Sequence, residues 1–217
     1  MELLAQFIDI VLHLDSYLEA LLAQYGTWLY VILFLVIFAE TGLIVTPFLP
    51  GDSLLFVAGA LAASSAGAFD INVLMVMLVV AAILGDAVNY RVGRWFGPKV
   101  FRWENSRFFN RAAFDKAHAF YERHGGKTIV IARFLPFVRT YVPFVAGVAE
   151  MTPARFTLFN VAGGILWVVS LCMAGYWFGN LPWVKGNLTL VILAIIGLSL
   201  LPMVWAWLRH HLAPQTS

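Results

Sequence analysis

Arg133 and Arg139 stand in "ARFLPFVRTYVPFVAG" (Ala132–Gly147), a stretch otherwise apolar except for Thr140 and Tyr141. Two carboxylates, Glu40 and Asp52, flank or enter a second apolar stretch, "TPFLPGDSLLFVAGALAASSAG". A charge at the centre of a membrane helix costs roughly 2.5–3.5 kcal/mol even on the mildest scales, so four such charges need partners or a task. Arginine suits a phosphate: its planar fork donates two parallel hydrogen bonds and stays charged when dehydrated. Near the free N–H groups of broken helices, Arg133 and Arg139 would make a phosphate seat. A carboxylate beside them can carry protons. Glu40 ends the long apolar run "YVILFLVIFAE" and is the drier acid, hence the preferred proton carrier. Asp52, next to Pro50 and Gly51, is expected to stay ionised and hold its segment. The plainer alternative is two buried ion pairs, Glu40 and Asp52 with the two arginines, that pin the segments together.

The elements that must hold these residues are membrane elements. Of 217 residues, 61% are hydrophobic and 12% charged. A soluble domain carries about a quarter charged residues, so this chain needs lipid to cover its surface. A spanning helix takes about 20 mostly apolar residues. Four segments fit: Trp28 to Phe38 and onward, Ile71–Tyr90, Phe156–Phe178 with Gly163 and Gly164 as sites of close helix contact, and Leu188–Leu208. Two more are broken, one by Pro47, Pro50 and Gly51 and the other by Pro136 and Pro143. Interrupted backbone survives in lipid only where protein or a wet cavity satisfies it, so residues 41–67 and 128–150 read as re-entrant hairpins. "FVAG" occurs in both, at Phe56–Gly59 and Phe144–Gly147. Each is preceded by a proline kink and followed by a span ending in "WFG", at Trp95–Gly97 and Trp177–Gly179. That order marks an internal repeat. Arginines and lysines crowd residues 98–127, which positive-inside bias holds in the cytoplasm. The expected fold is an all-α polytopic membrane protein: about four full transmembrane helices and two oppositely oriented re-entrant helical hairpins. As one membrane domain, 1–217, it divides into an amphipathic N-terminal helix (1–26), a first half (28–97), a basic amphipathic cytoplasmic loop (98–127), a second half (128–179) and a last span (188–208). Both termini are then cytoplasmic. Opposed repeats with binding at the midplane are a transporter arrangement.

Other residues weigh less. Asp86, Asn89, Tyr90 and Arg91 end the expected second span and could line its cytoplasmic mouth, or be a polar helix end at the interface. Asn160 and Tyr141 are candidates for hydrogen bonds inside the bundle. Trp28, Trp95, Trp103, Trp177, Trp183, Trp205 and Trp207 fall near span ends, as interface anchors do. The single Cys172 excludes an internal disulfide, and no His spacing suggests zinc, so no metal or cofactor is expected. No nucleotide loop is present. A lipid phosphatase needs a nucleophile, usually His, and no His lies in the apolar segments, so no enzyme activity is expected.

Four stretches resemble one family. "ETGLIVTPFLPGDSLLFVAGALA" (Glu40–Ala62), "GDAVNYRVGRWFG" (Gly85–Gly97), "YERHGGKTIVIARF" (Tyr121–Phe134) and "ARFLPFVRTYVPFVAG" look like the motifs of the DedA family of bacterial inner-membrane proteins, also described as the SNARE-associated or VTT-domain superfamily. The resemblance covers nearly the whole chain. It implies opposed re-entrant hairpins and a flippase that returns undecaprenyl phosphate, the lipid carrier of cell-envelope synthesis, across the inner membrane with the help of the proton motive force. The family's essential acids match Glu40 and Asp52, and its essential arginines match Arg133 and Arg139. The partners implied are a polyprenyl phosphate, the phospholipid bilayer and protons, with no nucleic acid; a homo-oligomer is left open. Competing readings are a non-transporting protein that binds or scrambles lipids or assists membrane assembly, and a proton-coupled exporter of small molecules.

Overall fold

A computed structural model describes residues 9–10, 13–43, 51–65, 69–101, 126–195 and 197–198. The described residues are helical, without a strand. In chain order the helices are α1 (Leu14–Tyr25), α2 (Trp28–Gly42), α3 (Gly51–Ser64), α4 (Ile71–Phe101), α5 (Lys127–Ala132), α6 (Pro136–Val148), α7 (Pro153–Phe178) and α8 (Pro182–Gly186), with further helix at 188–195. The expected kinks Pro47 and Pro50, most of the basic loop 98–127, the start of the N-terminal helix and the far end of the last span lie outside the described residues.

Among the described residues two helices are long and apolar enough to cross a membrane: α4, over Ile71–Gly97, and α7, over Pro153–Phe178. The first expected span is shorter than sequence suggested. α2 has 15 residues and ends at Gly42, where Leu43 turns extended (φ −102°, ψ 120°). At 1.5 Å per residue it reaches about 22 Å, against a hydrocarbon core of about 30 Å. α3 and α6, of 14 and 13 residues, are shorter still. In contrast, α4 runs 11 residues past Tyr90, the end expected for it, because nothing in "RVGRWFGPKVF" stops a helix before its proline. The prolines act unequally. Pro136 opens α6, where its missing N–H and fixed φ cost nothing. Pro143 sits inside α6 and removes one backbone donor there.

The directions of the helices follow from which residues meet. On α3 and α7, Asp52 meets Trp167 and Ala60 meets Gly179, so the two run parallel. On α6 and α4, Thr140 meets Asn89 and Val148 meets Gly97, again parallel. α4 and α7 are antiparallel, since Tyr90 stacks on Phe156 while Ile83 accepts from Asn160. The two short helices α3 and α6 therefore point in opposite directions, and each packs on the long helix of the other half. α2 runs parallel to α4, with Tyr30 near Asp70 and Thr41 near Asn89. α2–α3 and α5–α6 are thus two helical hairpins in corresponding positions.

The repeated word explains the packing. A Cβ on Gly59 would overlap the carbonyl of Cys172, and one on Gly147 would overlap that of Tyr90. Reciprocally, a Cβ on Gly175 or Gly93 would overlap the carbonyl of Phe56 or Phe144. Each "FVAG" is a backbone-to-backbone contact surface for the opposite long helix, of the small-residue kind that lets helices approach closely in membranes. Outside this core the chain is apolar: Trp28, Trp95, Trp177 and Trp183 are all more than 60% exposed.

Candidate functional site

Each hairpin ends its first arm and starts its second at a place where charge collects. Glu40 lies in the last turn of α2 and is fully buried; Asp52 is the second residue of α3. Arg133 caps the end of α5, and Arg139 is in the first turn of α6. The break between them is local: Leu135 is extended (φ −115°, ψ 105°), as a residue before proline prefers. One hairpin supplies acids and the other supplies arginines.

Arg139 joins both hairpins. Its Nη2 pairs with Glu40 Oε1, and its Nη1 donates to Asp52 Oδ1 at 2.8 Å. Glu40 Oε1 also accepts from the Gly51 backbone N–H at 3.2 Å, at the start of α3. A Cβ on Gly51 would overlap the Glu40 carboxylate, so only glycine admits this contact. Trp167, from the middle of α7, donates its indole N–H to Asp52 Oδ1 at 2.8 Å. The Arg139 guanidinium lies over the same indole, 5.1 Å from the ring centroid. A cation over an aromatic face is stabilised by about 2 kcal/mol when desolvated.

Arg133 belongs to a different cluster. The plainer alternative, both arginines paired with Glu40 and Asp52, holds for Arg139 but not for Arg133, whose Nη2 pairs with Asp86 Oδ2 of α4 and with Asn160 Oδ1 of α7. Asp86 is not at a helix end or an interfacial mouth. It is 3% exposed in the middle of α4, because α4 continues well past it. Asn160 is itself held by donating to Ile83 O at 3.0 Å. Gly163 and Gly164 make room for Arg133; a Cβ on Gly163 would meet Arg133 Cδ at 3.0 Å. Asn89, one turn beyond Asp86, ties the hairpins to α4 by donating to Thr140 O at 2.7 Å and to Thr41 O at 3.3 Å.

Three buried or half-buried carboxylates thus face two guanidinium groups, one negative charge in excess when all are ionised. Five buried polar atoms have no protein partner among the described residues: Glu40 Oε2, Ser53 Oγ, Asn89 Oδ1, Arg133 Nε and Arg139 Nε. Buried polar groups are normally hydrogen-bonded, so this concentration marks a place built for something polar.

The lower-ranked sequence candidates separate. Thr140 is buried at the α4 contact. Tyr90 is a structural joint: its hydroxyl donates to Met151 O and its ring stacks on Phe156 at 4.1 Å. Tyr141, expected inside the bundle, is 48% exposed because the buried face of α6 is taken by Arg139, Thr140 and Val142. Trp167 was missed. Its signal was position: it lies mid-span, whereas the other tryptophans fall near span ends. Among the described residues no group of His, Cys, Asp and Glu could hold a metal ion.

The chain matches the VTT domain family over residues 49–177. It is 53% identical over 213 residues to Protein DedA of Escherichia coli (strain K12), covering 98% of this chain and 97% of that protein. An uncharacterized membrane protein of Mycobacterium leprae (strain TN) is 48% identical over 183 residues, 84% of this chain and 81% of the relative. Inner membrane protein YqjA of Escherichia coli (strain K12) is 39% identical over 184 residues, 84% and 81% respectively. No solved structure matches significantly. With a domain match across most of the charged clusters, a relative named DedA along nearly its full length and relatives named as membrane proteins over 84% of it, the chain is a membrane protein that belongs to the VTT-domain, or DedA, family.

Proposed function

We propose that this protein is a flippase that returns undecaprenyl phosphate across the inner membrane, linked to the proton motive force, and that it is not an enzyme. The observation that carries this reading is Arg139: buried, bounded by two carboxylates and an indole face, with its Nε–H without a partner among the described residues. A guanidinium so placed is a receptor for a dianionic head group whose isoprenoid tail can remain in lipid. Glu40 and Asp52 compete with the phosphate for it. Protonation of Glu40 removes one competitor, and its second oxygen, without a protein partner among the described residues, is where the proton would sit. Proton uptake and phosphate binding are thereby coupled without nucleotide, and loss of the proton favours release.

In this reading α2–α3 and α5–α6 are re-entrant hairpins entering from opposite faces, with α4, α7 and the segment from residue 188 crossing the bilayer. The basic segment 98–127 and the C-terminus are cytoplasmic. With α2 as a re-entrant arm the N-terminus would face outward, whereas four full spans would keep it cytoplasmic. A periplasm-dependent reporter fused ahead of Met1 is active in the first arrangement and silent in the second.

The functional test is purified full-length protein in liposomes, assayed for movement of undecaprenyl phosphate between leaflets with and without a pH gradient. Gradient-driven movement that Arg139→Gln abolishes supports the proposal. Gradient-independent movement of many phospholipids would support a scramblase instead, and no movement of any lipid would remove the transport reading.

A further inference from the structure

Asp86 is placed where an anion-binding site would keep a substitute for its ligand. Its carboxylate occupies Arg133 Nη2, and it is the only carboxylate partner of Arg133 among the described residues, whereas Arg139 has two. Arg133 is also held independently of Asp86. Asn160 accepts from the same nitrogen and is fixed in turn on Ile83 O, while Gly163 accommodates the side-chain stem. Withdrawal of Asp86 would therefore leave Arg133 in place with a donor edge open. Arg133 Nε is buried and, among the described residues, has no partner beside that edge. Carboxylate and phosphate oxygens take the same donor geometry on a guanidinium, so the two exclude each other.

We propose that Asp86 is a displaceable counterion: it occupies Arg133 when the site is empty, yields to the substrate's phosphate, and by returning drives that phosphate off. This rests on the arginines being phosphate seats. Asp86 is then a positioning residue that sets how readily lipid leaves rather than how it is recognised. Removing its charge tightens binding and slows turnover, the reverse of what loss of a structural ion pair does.

The test measures equilibrium binding of a short-chain polyprenyl phosphate, with the matching polyprenyl alcohol as control, to the full-length protein in detergent. The same variants are then assayed for leaflet exchange at saturating lipid. Asp86→Asn is expected to bind the phosphate about tenfold more tightly and to exchange it about tenfold more slowly, with the alcohol unaffected; tenfold corresponds to about 1.4 kcal/mol. Asp86→Glu should restore both values to near wild type. Asn160→Asp gives Arg133 a second carboxylate and should weaken phosphate binding about fivefold, on the order of 1 kcal/mol. A folded Asp86→Asn protein with unchanged or weaker phosphate binding overturns the proposal. If Asp86→Asn does not fold, unchanged binding by Asn160→Asp overturns it equally. A wild-type protein that fails to distinguish phosphate from alcohol overturns the functional reading and this inference together, whereas the first two outcomes leave the functional reading standing.

Discussion

The two arginines of one hairpin have different neighbourhoods. Arg139 reaches across to the other hairpin, pairs with two carboxylates and lies on an indole face. Arg133 pairs with a single carboxylate, on α4, and leans on a neutral amide of α7. Arg139 is therefore the joint between the halves, and Arg133 is an ion pair with one removable partner. The difference teaches that two identical residues six positions apart in one hairpin need not share a role. Their roles are set by how many acids must be left uncompensated when each is lost.

Charge deletion gives the largest test of that contrast. Arg139→Gln strands two carboxylates and should destabilise the protein by about 3–5 kcal/mol or more, as removal of one partner from a buried ion pair does. Arg133→Gln strands only Asp86 and should cost less. Adding Asp86→Asn to Arg133→Gln should recover most of that loss, whereas Arg139→Gln should need both Glu40→Gln and Asp52→Asn. Thermal unfolding in detergent checks the ordering, and equal recovery by a single acid substitution in both cases would erase the distinction.

Next in size are the backbone contacts. Gly59→Leu and Gly147→Leu both force the opposite long helix away and should each cost about 1–3 kcal/mol or more. If the repeat is as symmetric in packing as it is asymmetric in charge, the two losses agree closely; a benign substitution at either site breaks the symmetry. Gly51→Ala, at a contact with no counterpart in the second hairpin, should displace Glu40 and lower transport while leaving Arg133 variants' effects unchanged.

Trp167→Phe keeps a ring under Arg139 but removes the hydrogen bond to Asp52. The expected cost is about 1.5–3 kcal/mol, the range for a hydrogen bond to a charged group. Tyr90→Phe, at the α4–α7 joint, should cost about 1 kcal/mol and leave phosphate binding untouched. A binding defect in Tyr90→Phe would mean the joint and the site are not separate.

Much of this was legible in the chain. Hydropathy located α4 and α7, the proline breaks located α3 and α6, and the repeated "FVAG" order marked an internal repeat, whose glycines the structure shows in reciprocal close contact with the opposite long helices. Glu40, Asp52 and Arg139 were readable as a charged constellation because each stands alone in apolar surroundings. What failed was partner choice and helix extent. Asp86 looked terminal because polar and basic residues follow it, yet "RVGRWFG" continues the helix and buries Asp86 deep in α4. Its spacing of three from Asn89 on an apolar helix was the available clue to a shared inward face. α2 looked like a span because composition cannot say where an apolar run leaves the helix; Leu43 does so after 15 residues.

The account rests on Arg139 holding a lipid phosphate through its fork. The most direct measurement is equilibrium binding of a short-chain polyprenyl phosphate to wild type and to Arg139→Lys, with the unphosphorylated alcohol as reference. Lysine keeps the charge facing Glu40 and Asp52 but loses the paired donors. The account predicts that wild type prefers the phosphate over the alcohol and that Arg139→Lys loses about tenfold, or about 1.4 kcal/mol, of that preference. A folded Arg139→Lys protein that retains the whole preference would contradict it.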